Sequence, residues 1–399
     1  MTLVISEADC ERVLDWKVCI DALEHGFLEA AEGRAMSDAR TDRHLAVTKA
    51  DIAKRMGLSV HALGGELEAA RARVPVEYPG YVEPKSVDWP LSYLFKTMVG
   101  TIKSTGIMAL RVNSEVIGFD EEGHGRREAK IPFGPGFKYT GLVFLFSVVT
   151  GELLAIMQDG FLQRSRVTGT AAVGTKYLAR DDATTLGMIG TGAMAEAHVF
   201  CSQIARPGLT KVQVYSPTSS HREKFALELS ATAGIEVQAV DSPEKAFKGA
   251  DIAIEATNAH APIIDAAWLE PGVHYVWTSP GATSAGCYDR ADLVVSTWRG
   301  WPADGTARIH DYTLPADSEL IPQFVAGGTL WDRMVGPELG EIISGRVPGR
   351  SAQSDVTLHA NVSSSLQFAA VGSVILDRCT AEGIGTELDT DLFLQWRHP

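Results

Sequence analysis

The 399-residue sequence contains few of the features that mark membrane, secreted or metal-binding proteins. Its five cysteines form no Cys-x-x-Cys pair and their number is odd, so neither a disulfide framework nor a metal site is expected. No apolar run approaches the length that spans a bilayer, and the N-terminus lacks the basic start and apolar core of a signal peptide. These absences exclude a membrane location and favour a reducing cytoplasm.

Positive charge is also scarce. The chain has 36 Lys and Arg against 50 Asp and Glu, which gives a formal net charge of −14. A surface of this sign argues against nucleic acids and anionic membranes as partners, although it leaves room for a local basic pocket that binds a small anion. The remaining composition is that of a globular protein, with 45% hydrophobic residues and a length sufficient for two domains.

The first part of the chain predicts mixed α and antiparallel β structure. Apolar residues at near-helical spacing predict one long helix that starts near Ser6 and ends at Gly33. The stretch "TGLVFLFSVVTGELLAIMQDG" predicts two strands joined by a hairpin turn at Thr150 and Gly151. At the other end of the chain, residues 357–383 look like a long helix that packs back on the first domain.

From residue 166 onwards the pattern changes to that of a nucleotide-binding domain. Short apolar runs alternate with helical stretches, which is typical of a parallel, doubly wound sheet; they are "TTLGMIG", "KVQVYS", "IEVQAV", "DIAIEAT", "HYVWTS" and "DLVVST". The predicted fold class is therefore α/β, with a Rossmann-type doubly wound nucleotide domain at residues 171–335. Residues 1–170 and 336–399 are predicted to form a mixed α+β substrate and dimerisation domain.

A glycine-rich turn directly follows the first of these runs and opens a helix. Gly190, Gly192 and Ala195 form a Gly-x-Gly-x-x-Ala pattern in the context that a dinucleotide fingerprint requires. The two glycines permit a tight turn and close approach of the backbone to a pyrophosphate, which the N–H groups of the helix N-terminus bind. The predicted cofactor-binding residues of this turn are Gly190, Thr191, Gly192, Ala193 and Met194.

The end of the second strand bears on the choice between NAD and NADP. An NAD site usually places an acid there for the ribose hydroxyls, but residues 215–218 contain none. Ser216 and Thr218 offer hydroxyls, and Arg222 follows, which favours NADP(H) and leaves NAD(H) as the other candidate. The two hydroxyls can also be interpreted as caps of the next helix.

Several stretches taken together resemble the ornithine cyclodeaminase/mu-crystallin family. They are "TGELLAIMQDG", "SRVTGTAAVGTKYLA", "MIGTGAMAEAH", "EATNAHAPII", "LGEIISGRVPGRS" and "DVTLHANVSSSLQFAA", in the order that the family has them. The resemblance implies hydride exchange with NAD(P) at the α-carbon of an amino or imino acid, usually by a homodimer. It also implies that Thr257 and Asn258 bind the cofactor. Asn361 is expected to reach the nicotinamide or the substrate, or else to cap the final helix.

The resemblance also implies residues for the substrate. Arg166 matches the arginine that binds the substrate carboxylate, and a guanidinium fork suits that task. Arg40 plausibly matches a second such arginine; the alternative is a solvated loop charge. Arg111 stands where the family usually has a lysine, and Thr278 stands where cyclodeaminases have an aspartate. Because arginine stays protonated near neutrality, Arg111 is a poor proton donor, so another donor is needed; the candidates are His61, His124, Asp159, Tyr139 and His260.

The sequence thus predicts an NAD(P)-dependent oxidoreductase that acts on the C=N, C–N or C=O carbon of an imino, amino or keto acid. Arg166, Arg40 and Arg111 would hold a small carboxylate-bearing substrate, and three arginines would suit a diacid or a bulky keto acid. Two alternatives are a redox-neutral ornithine or lysine cyclodeaminase and a weakly catalytic, crystallin-like NADP(H)-binding protein.

Overall fold

The computed structural model of the chain describes residues 1–38, 40–63, 91–120, 127–131, 138–259, 262–278, 282–299 and 336–396. Within these residues, nine strands form one sheet and seven form a second. The strands are β1 (Thr2–Ile5), β2 (Ala35–Ser37), β3 (Thr41–Val47), β4 (Leu91–Ile102), β5 (Ile107–Asp120), β6 (Arg127–Ile131), β7 (Thr140–Ser147), β8 (Leu153–Gln158), β9 (Thr185–Ile189), β10 (Lys211–Tyr215), β11 (Glu236–Ala239), β12 (Ile252–Glu255), β13 (His274–Trp277), β14 (Leu293–Ser296), β15 (Thr357–Ala360) and β16 (Thr386–Leu388).

The α-helices of the described residues connect and cover these sheets. They are α1 (Glu7–Val13), α2 (Trp16–Ala31), α3 (Lys49–Met56), α4 (Gly160–Leu178), α5 (Ala193–Ala205), α6 (Ser219–Ala233), α7 (Pro243–Phe247), α8 (Ala285–Arg290), α9 (Leu339–Ile343) and α10 (Leu366–Glu382). The main apolar core lies between the first sheet and helices α2, α4 and α10. None of the described helices has the length and apolar character needed to cross a membrane, and all five cysteines are free and buried.

The first sheet is mixed, in the order β16-β1-β8-β7-β5-β4-β2, with β3 paired to β4 and β6 paired to β5. Strands β4 and β5 are long and antiparallel, and their pairing places Met98 opposite Arg111 and Lys96 opposite Asn113. The predicted hairpin is present, since β7 and β8 pair antiparallel and Gly151 in the turn has a φ of +77°. This pairing therefore brings charged residues of two long strands to one face of the sheet.

The second sheet is parallel throughout its described strands, in the order β11-β10-β9-β12-β13-β15-β14. Strands β12, β13 and β15 are buried along their whole length, which requires cover on both faces. All six strands predicted from the apolar runs are present as β9 to β14. The predicted fold class, a Rossmann-type doubly wound sheet with a mixed α+β partner, is confirmed.

The returning C-terminal segment differs from the prediction in one respect. Residues 357–360 do not start a long helix but form β15, which lies between β13 and β14 of the second sheet. These four residues are buried between two neighbouring strands, and such a position favours extended backbone over helix. Helix α10 starts only at Leu366 and packs on α2 and β4, so the segment returns to the first sheet after residue 360. The predicted domain division otherwise stays a prediction.

The first predicted helix is divided in two. Ser6 and Asp9 form a capping box that starts α1, and Asp15 accepts a 2.8 Å hydrogen bond from the Val18 N–H and starts α2. The prediction of one helix was wrong because apolar spacing continues across the break, while the Asp15 cap favours a new start. Gly33 follows the end of α2 with a φ of +74°, as expected for a glycine that ends a helix.

Candidate functional site

A cleft of about 260 Å³ lies where the two sheets meet. Strands β4 and β5 and helix α4 supply one side, while Thr278 and Asn361, which follow β13 and β15, supply the other. Ligands of open α/β sheets bind outside the carboxyl ends of the strands, which is where these two residues lie. The charged residues that line the cleft are Arg40, Lys96, Arg111, Lys130, Asp159 and Arg166.

Arg166 is the cleft's deeply buried cation with neutral partners. Its Nη1 donates to Ser363 Oγ at 2.9 Å and to Gln367 Oε1 at 2.8 Å, and its Nη2 donates to Gln163 Oε1 at 2.8 Å. Burial, with a further contribution from the nearby Arg111, lowers the pKa of Arg166 to about 9. A buried guanidinium without a paired carboxylate favours an incoming anion. Its role as a carboxylate clamp stays a prediction.

Arg111 is differently placed, because a carboxylate already holds it. Its Nε and Nη2 both donate to Asp159 Oδ2, at 2.8 and 2.7 Å, and both residues are buried. The guanidinium also lies 5.7 Å from the centre of the Phe368 ring, and Arg166 lies 5.1 Å from the same ring. Arg111 therefore lies in the cleft, as the sequence predicts, but as one half of an ion pair.

Arg40 lies at the rim of the cleft. Its side chain is 34% exposed, and its Nη2 donates to Asp42 Oδ2 at 2.7 Å. The structure thus brings all three predicted arginines to one cleft. It pairs two of them with carboxylates and leaves Arg166 on neutral oxygens.

The sequence predicts a site whose lysine position is occupied by Arg111, but the structure brings a lysine into the cleft. Lys96 lies on β4, is buried, and donates from Nζ to Glu115 Oε1 at 2.8 Å. Lys130 reaches the other oxygen, Glu115 Oε2, also at 2.8 Å. Burial alone would raise the pKa of Glu115, but Lys130 and Lys96 together lower it below its ordinary value. The sequence contains a pattern that could have indicated this, because Lys96 interrupts an apolar strand just as Arg111 does.

Of the other predicted proton donors, Asp159 and Tyr139 line the cleft. Asp159 is buried, whereas Tyr139 is 46% exposed and lies under Lys130, whose Nζ is 4.6 Å from the ring centre. His61 is exposed near α3 and does not line the cleft. His124 and His260 lie outside the residues that the structure describes.

The glycine-rich turn has the shape that a dinucleotide needs. Gly190 has a φ of +125°, and a Cβ atom there would lie 2.3 Å from the Ala256 carbonyl oxygen, so only glycine fits. Gly192 occupies the N-cap of α5 without a side-chain cap, while Thr191, Ala193 and Met194 complete the turn. The first backbone N–H groups of this helix can thus face a phosphate. These residues fit a dinucleotide; their contacts with one stay a prediction.

Arg222, in the first turn of α6, reaches back to the end of β10. Its Nη1 donates to the Ser216 carbonyl oxygen at 3.0 Å, and its guanidinium lies 5.9 Å from the Tyr215 ring centre. Thr218 occupies the N-cap of α6, but its side chain makes no cap hydrogen bond. Thr218 therefore has the position of a helix cap without its hydrogen bond, and Ser216 is not at the cap position.

A buried carboxylate joins the loops that follow β12 and β13. Glu255 accepts the Thr257 N–H at 2.8 Å and the Thr278 N–H at 3.2 Å. Asn258 is exposed beside them. Asn361 is buried and donates from Nδ2 to the Val167 carbonyl oxygen at 3.1 Å, so it links the second sheet to α4. It does not cap the final helix, whose N-cap is Ser365.

Comparisons with known proteins agree with this architecture. A Δ1-pyrroline-2-carboxylate reductase of Bacillus cereus is 27% identical over 255 residues, which cover 62% of this chain and 74% of that protein. A putative dehydrogenase of Rhizobium meliloti is 25% identical over 251 residues, which cover 63% and 73% of the two chains. Both similarities leave more than a third of this chain unmatched.

Solved structures extend the likeness to nearly the whole chain. The Δ1-pyrroline-2-carboxylate reductase of Thermococcus litoralis, solved in complex with NADH and L-proline, has a TM-score of 0.69 and 21% identity. That similarity covers 97% of this chain and 100% of that one, and it establishes the fold. The model of the ornithine cyclodeaminase/mu-crystallin family matches residues 137–383. The predicted family is thereby confirmed, and the chain belongs to the ornithine cyclodeaminase/mu-crystallin family.

Proposed function

We propose that this chain is an NAD(P)-dependent oxidoreductase that transfers hydride to or from the carbon that carries the nitrogen of an imino or amino acid, or the oxygen of a keto acid. The observation that carries the proposal is Arg166, a buried guanidinium on neutral partners in a cleft at the carboxyl edge of a dinucleotide-type sheet. The family's Δ1-pyrroline-2-carboxylate reductases support a reductase over a cyclodeaminase.

The cleft residues divide the work between binding and proton transfer. When bound, the nicotinamide supplies or accepts the hydride, while the protein supplies position and charge. Arg166 binds the substrate carboxylate, with Arg111 and Arg40 adding positive charge nearby. Lys96 is the proton donor that the sequence interpretation lacked, since an ammonium releases a proton far more readily than a guanidinium. Its bond to Glu115 fixes the ammonium in the cleft.

The proposed cofactor preference is NADP(H). The Arg222 guanidinium reaches from α6 to the Ser216 backbone at the end of β10, and residues 215–218 contain no carboxylate for a ribose. A guanidinium there suits a 2′-phosphate, as in NADP sites of this architecture. NAD(H) stays the second candidate, because the Thermococcus litoralis neighbour was solved with NADH.

The test is oxidation of NADPH and NADH, followed by absorbance, with a panel of carboxylates. The panel contains Δ1-pyrroline-2-carboxylate, Δ1-piperideine-2-carboxylate and several 2-oxo acids with and without ammonia. We expect turnover of at least one imine, with a lower KM for NADPH than for NADH. An absence of turnover with the whole panel, despite tight NADPH binding, would contradict the proposal and favour the crystallin-like alternative.

A redox-neutral cyclodeaminase is kept as a second candidate because of Lys96. The sequence argues against that reaction because both the family lysine and the cyclodeaminase aspartate are replaced. Lys96 supplies a lysine in the cleft, so only the missing aspartate still argues against it. Ammonia release from ornithine or lysine without net change in the cofactor would establish it. Thr278 stays in the aspartate position, and the family reductases weigh against this alternative.

A homodimer and a cytoplasmic location complete the proposal. The family resemblance supports the dimer, and five free, buried cysteines support the location. Light scattering coupled to size-exclusion chromatography tests the first. Fluorescence microscopy of a tagged chain tests the second.

A further inference from the structure

The cleft contains a carboxylate oxygen that no described group uses. Both hydrogen bonds from Arg111 go to Asp159 Oδ2, while Asp159 Oδ1 is buried without a hydrogen-bond partner. The residue is 3% exposed and lines the cleft. An unsatisfied buried carboxylate oxygen is costly, so a ligand that donates to it would remove that cost.

The carboxylate of Asp159 does not cap the helix that it precedes. Asp159 occupies the N-cap of α4, where an aspartate usually accepts backbone N–H groups, yet its side chain makes no cap bond. Gln158 Oε1 accepts the Gly160 N–H at 2.6 Å instead. The carboxylate of Asp159 turns to Arg111 and the cleft, so its position reflects the cleft rather than the helix.

The opposite strand leaves room for this arrangement. The Asp159 N–H donates to the Gly141 carbonyl oxygen at 3.0 Å, which fixes the backbone. A Cβ atom on Gly141 would lie 3.0 Å from Asp159 Cβ and 3.2 Å from its Oδ2, so a larger residue would push the carboxylate aside. The absence of a side chain at Gly141 therefore helps to set the position of the Asp159 carboxylate in the cleft.

We propose that Asp159 Oδ1 accepts a hydrogen bond from the nitrogen of the substrate, and that Asp159 thereby selects amino and imino acids over 2-hydroxy and 2-oxo acids. The inference rests on the proposed function, since it assigns the substrate class of the same cleft. In a 2-amino or 2-imino acid, the nitrogen and the carboxylate group are attached to the same carbon. Such a molecule needs an acceptor and a cation side by side, and Asp159 lies close enough to Arg166 to interact with its charge.

The chemistry of the competing ligands explains the selection. A protonated amine or imine donates a charge-assisted hydrogen bond to a carboxylate. A 2-oxo acid presents only lone pairs to the same oxygen, which are repelled, and a 2-hydroxy acid donates as a neutral group. A site that keeps a buried polar group for one ligand rejects the analogue that leaves this group unpaired.

The experiment compares two ligand pairs that differ in the nitrogen alone. Calorimetry with the protein and saturating NADPH, which cannot accept hydride from an amino acid, measures Kd for L-proline against (S)-tetrahydrofuran-2-carboxylate, and for L-alanine against L-lactate. We expect the wild type to prefer the nitrogen ligand by about 100-fold in at least one pair. Asp159→Asn should reduce this preference to within about fivefold, because Arg111 keeps the one amide oxygen as its acceptor, and the Nδ2 group that replaces Oδ1 donates and cannot accept the N–H.

Two further variants separate substrate recognition from support of Arg111. Arg111→Lys keeps a cation beside Asp159 and should weaken both members of a pair alike, so the nitrogen preference persists. Gly141→Ala displaces the carboxylate without removing its charge and should lower the preference, which guards against a poorly folded Asp159→Asn. Asp21→Asn, which removes an exposed carboxylate paired with Lys17, is the matched control.

Distinct outcomes overturn the two proposals. An unchanged nitrogen preference in Asp159→Asn, equal weakening of both ligands, or binding of neither member by the wild type would overturn the role of Asp159. A nitrogen preference that depends on Asp159, in a protein that oxidises no NAD(P)H with any imine, would support the inference and sink the proposed oxidoreductase function.

Discussion

The glycine-rich turn and the charged cleft are built on opposite principles. The turn between β9 and α5 uses small residues and backbone groups, and it depends on the absence of side-chain atoms at Gly190. The cleft uses long charged side chains that are buried with partners, such as Lys96 with Glu115 and Arg111 with Asp159. Cofactor binding at the turn should therefore be lost when a single side-chain atom is added. The cleft should be disrupted when one partner of an ion pair is removed.

The largest effect is expected at the turn. In Gly190→Ala, the new Cβ atom would lie 2.3 Å from the Ala256 carbonyl oxygen at a φ of +125°. The overlap and the backbone strain should together weaken dinucleotide binding by about 1000-fold in a fluorescence titration. Gly234→Ala is the matched control, because Gly234 also has a positive φ but no atom within 4 Å of its Cβ position. Equal cofactor affinity in both variants would show that the contact does not matter.

In the cleft, removal of Arg166, whose hydrogen-bond partners among the described residues are neutral, should have the next largest effect. Arg166→Ala should lower kcat/KM by about 300-fold for a carboxylate substrate, because a charged hydrogen-bond partner is lost in a buried site. Arg164→Ala, on the same helix, removes an arginine that pairs with Glu11 at 3.3 Å outside the cleft. It should leave kcat/KM nearly unchanged. Steady-state kinetics with unaltered KM and kcat in Arg166→Ala would refute the clamp.

Removing the carboxylate between the two lysines should mainly affect stability. Glu115→Gln leaves Lys96 and Lys130 without that counter-charge and should lower the free energy of unfolding by about 3 kcal/mol in urea. The exposed pair of Glu236 with Lys211, at 4.0 Å, provides the control Glu236→Gln, which should cost little.

The contacts of Glu115 with Lys96 and Lys130 also predict how stability depends on pH. Because Lys130 and Lys96 lower the pKa of Glu115 below its ordinary 4.5, despite the opposing effect of burial, the unfolded chain binds the proton more readily. The stabilisation is present above that ordinary value and is lost as the pH falls through the lowered one. Wild type should lose this part of its stability in acid, and Glu115→Gln should not. Parallel pH profiles for the two proteins would contradict the ion-pair account.

The smallest effect is expected for Arg222, on the KM for the cofactor. Arg222→Ala should raise the KM for NADPH about tenfold and leave that for NADH nearly unchanged, since only a 2′-phosphate needs the guanidinium. Lys224→Ala, an exposed cation on the same helix, is the control. Equal KM changes for both cofactors would indicate that Arg222 supports the loop rather than the phosphate.

Local sequence was sufficient to predict the parallel, doubly wound sheet. Its strands are short, apolar and separated by helices, and Gly190 marks the turn after the first of them, because its φ of +125° and the neighbouring Ala256 carbonyl oxygen demand glycine. Such features depend on neighbours in sequence, so they can be recognised without the fold. The strand at residues 357–360 was missed because only its position between β13 and β14 decides its conformation.

The cleft could be predicted in composition but not in pairing. Arg166, Arg111 and Arg40 all reach it, yet the sequence gives no sign that Arg111 bonds to Asp159, 48 residues later in the chain. Lys96 was overlooked because its place in the cleft depends on the register of β4 against β5, which sets it opposite Asn113. Contacts between distant strands follow from tertiary packing, which periodicity alone does not encode.

The short connection from β15 to α10 carries a consequence for motion. Residues 361–365 are where the chain leaves the second sheet and joins a helix packed on the first. Asn361 and Ser363 in this connection bond to Val167 and Arg166 of α4. A rotation of one sheet relative to the other would therefore be expected to shift Asn361 and Ser363, which line the cleft, and with them the hydrogen-bond partners of Arg166.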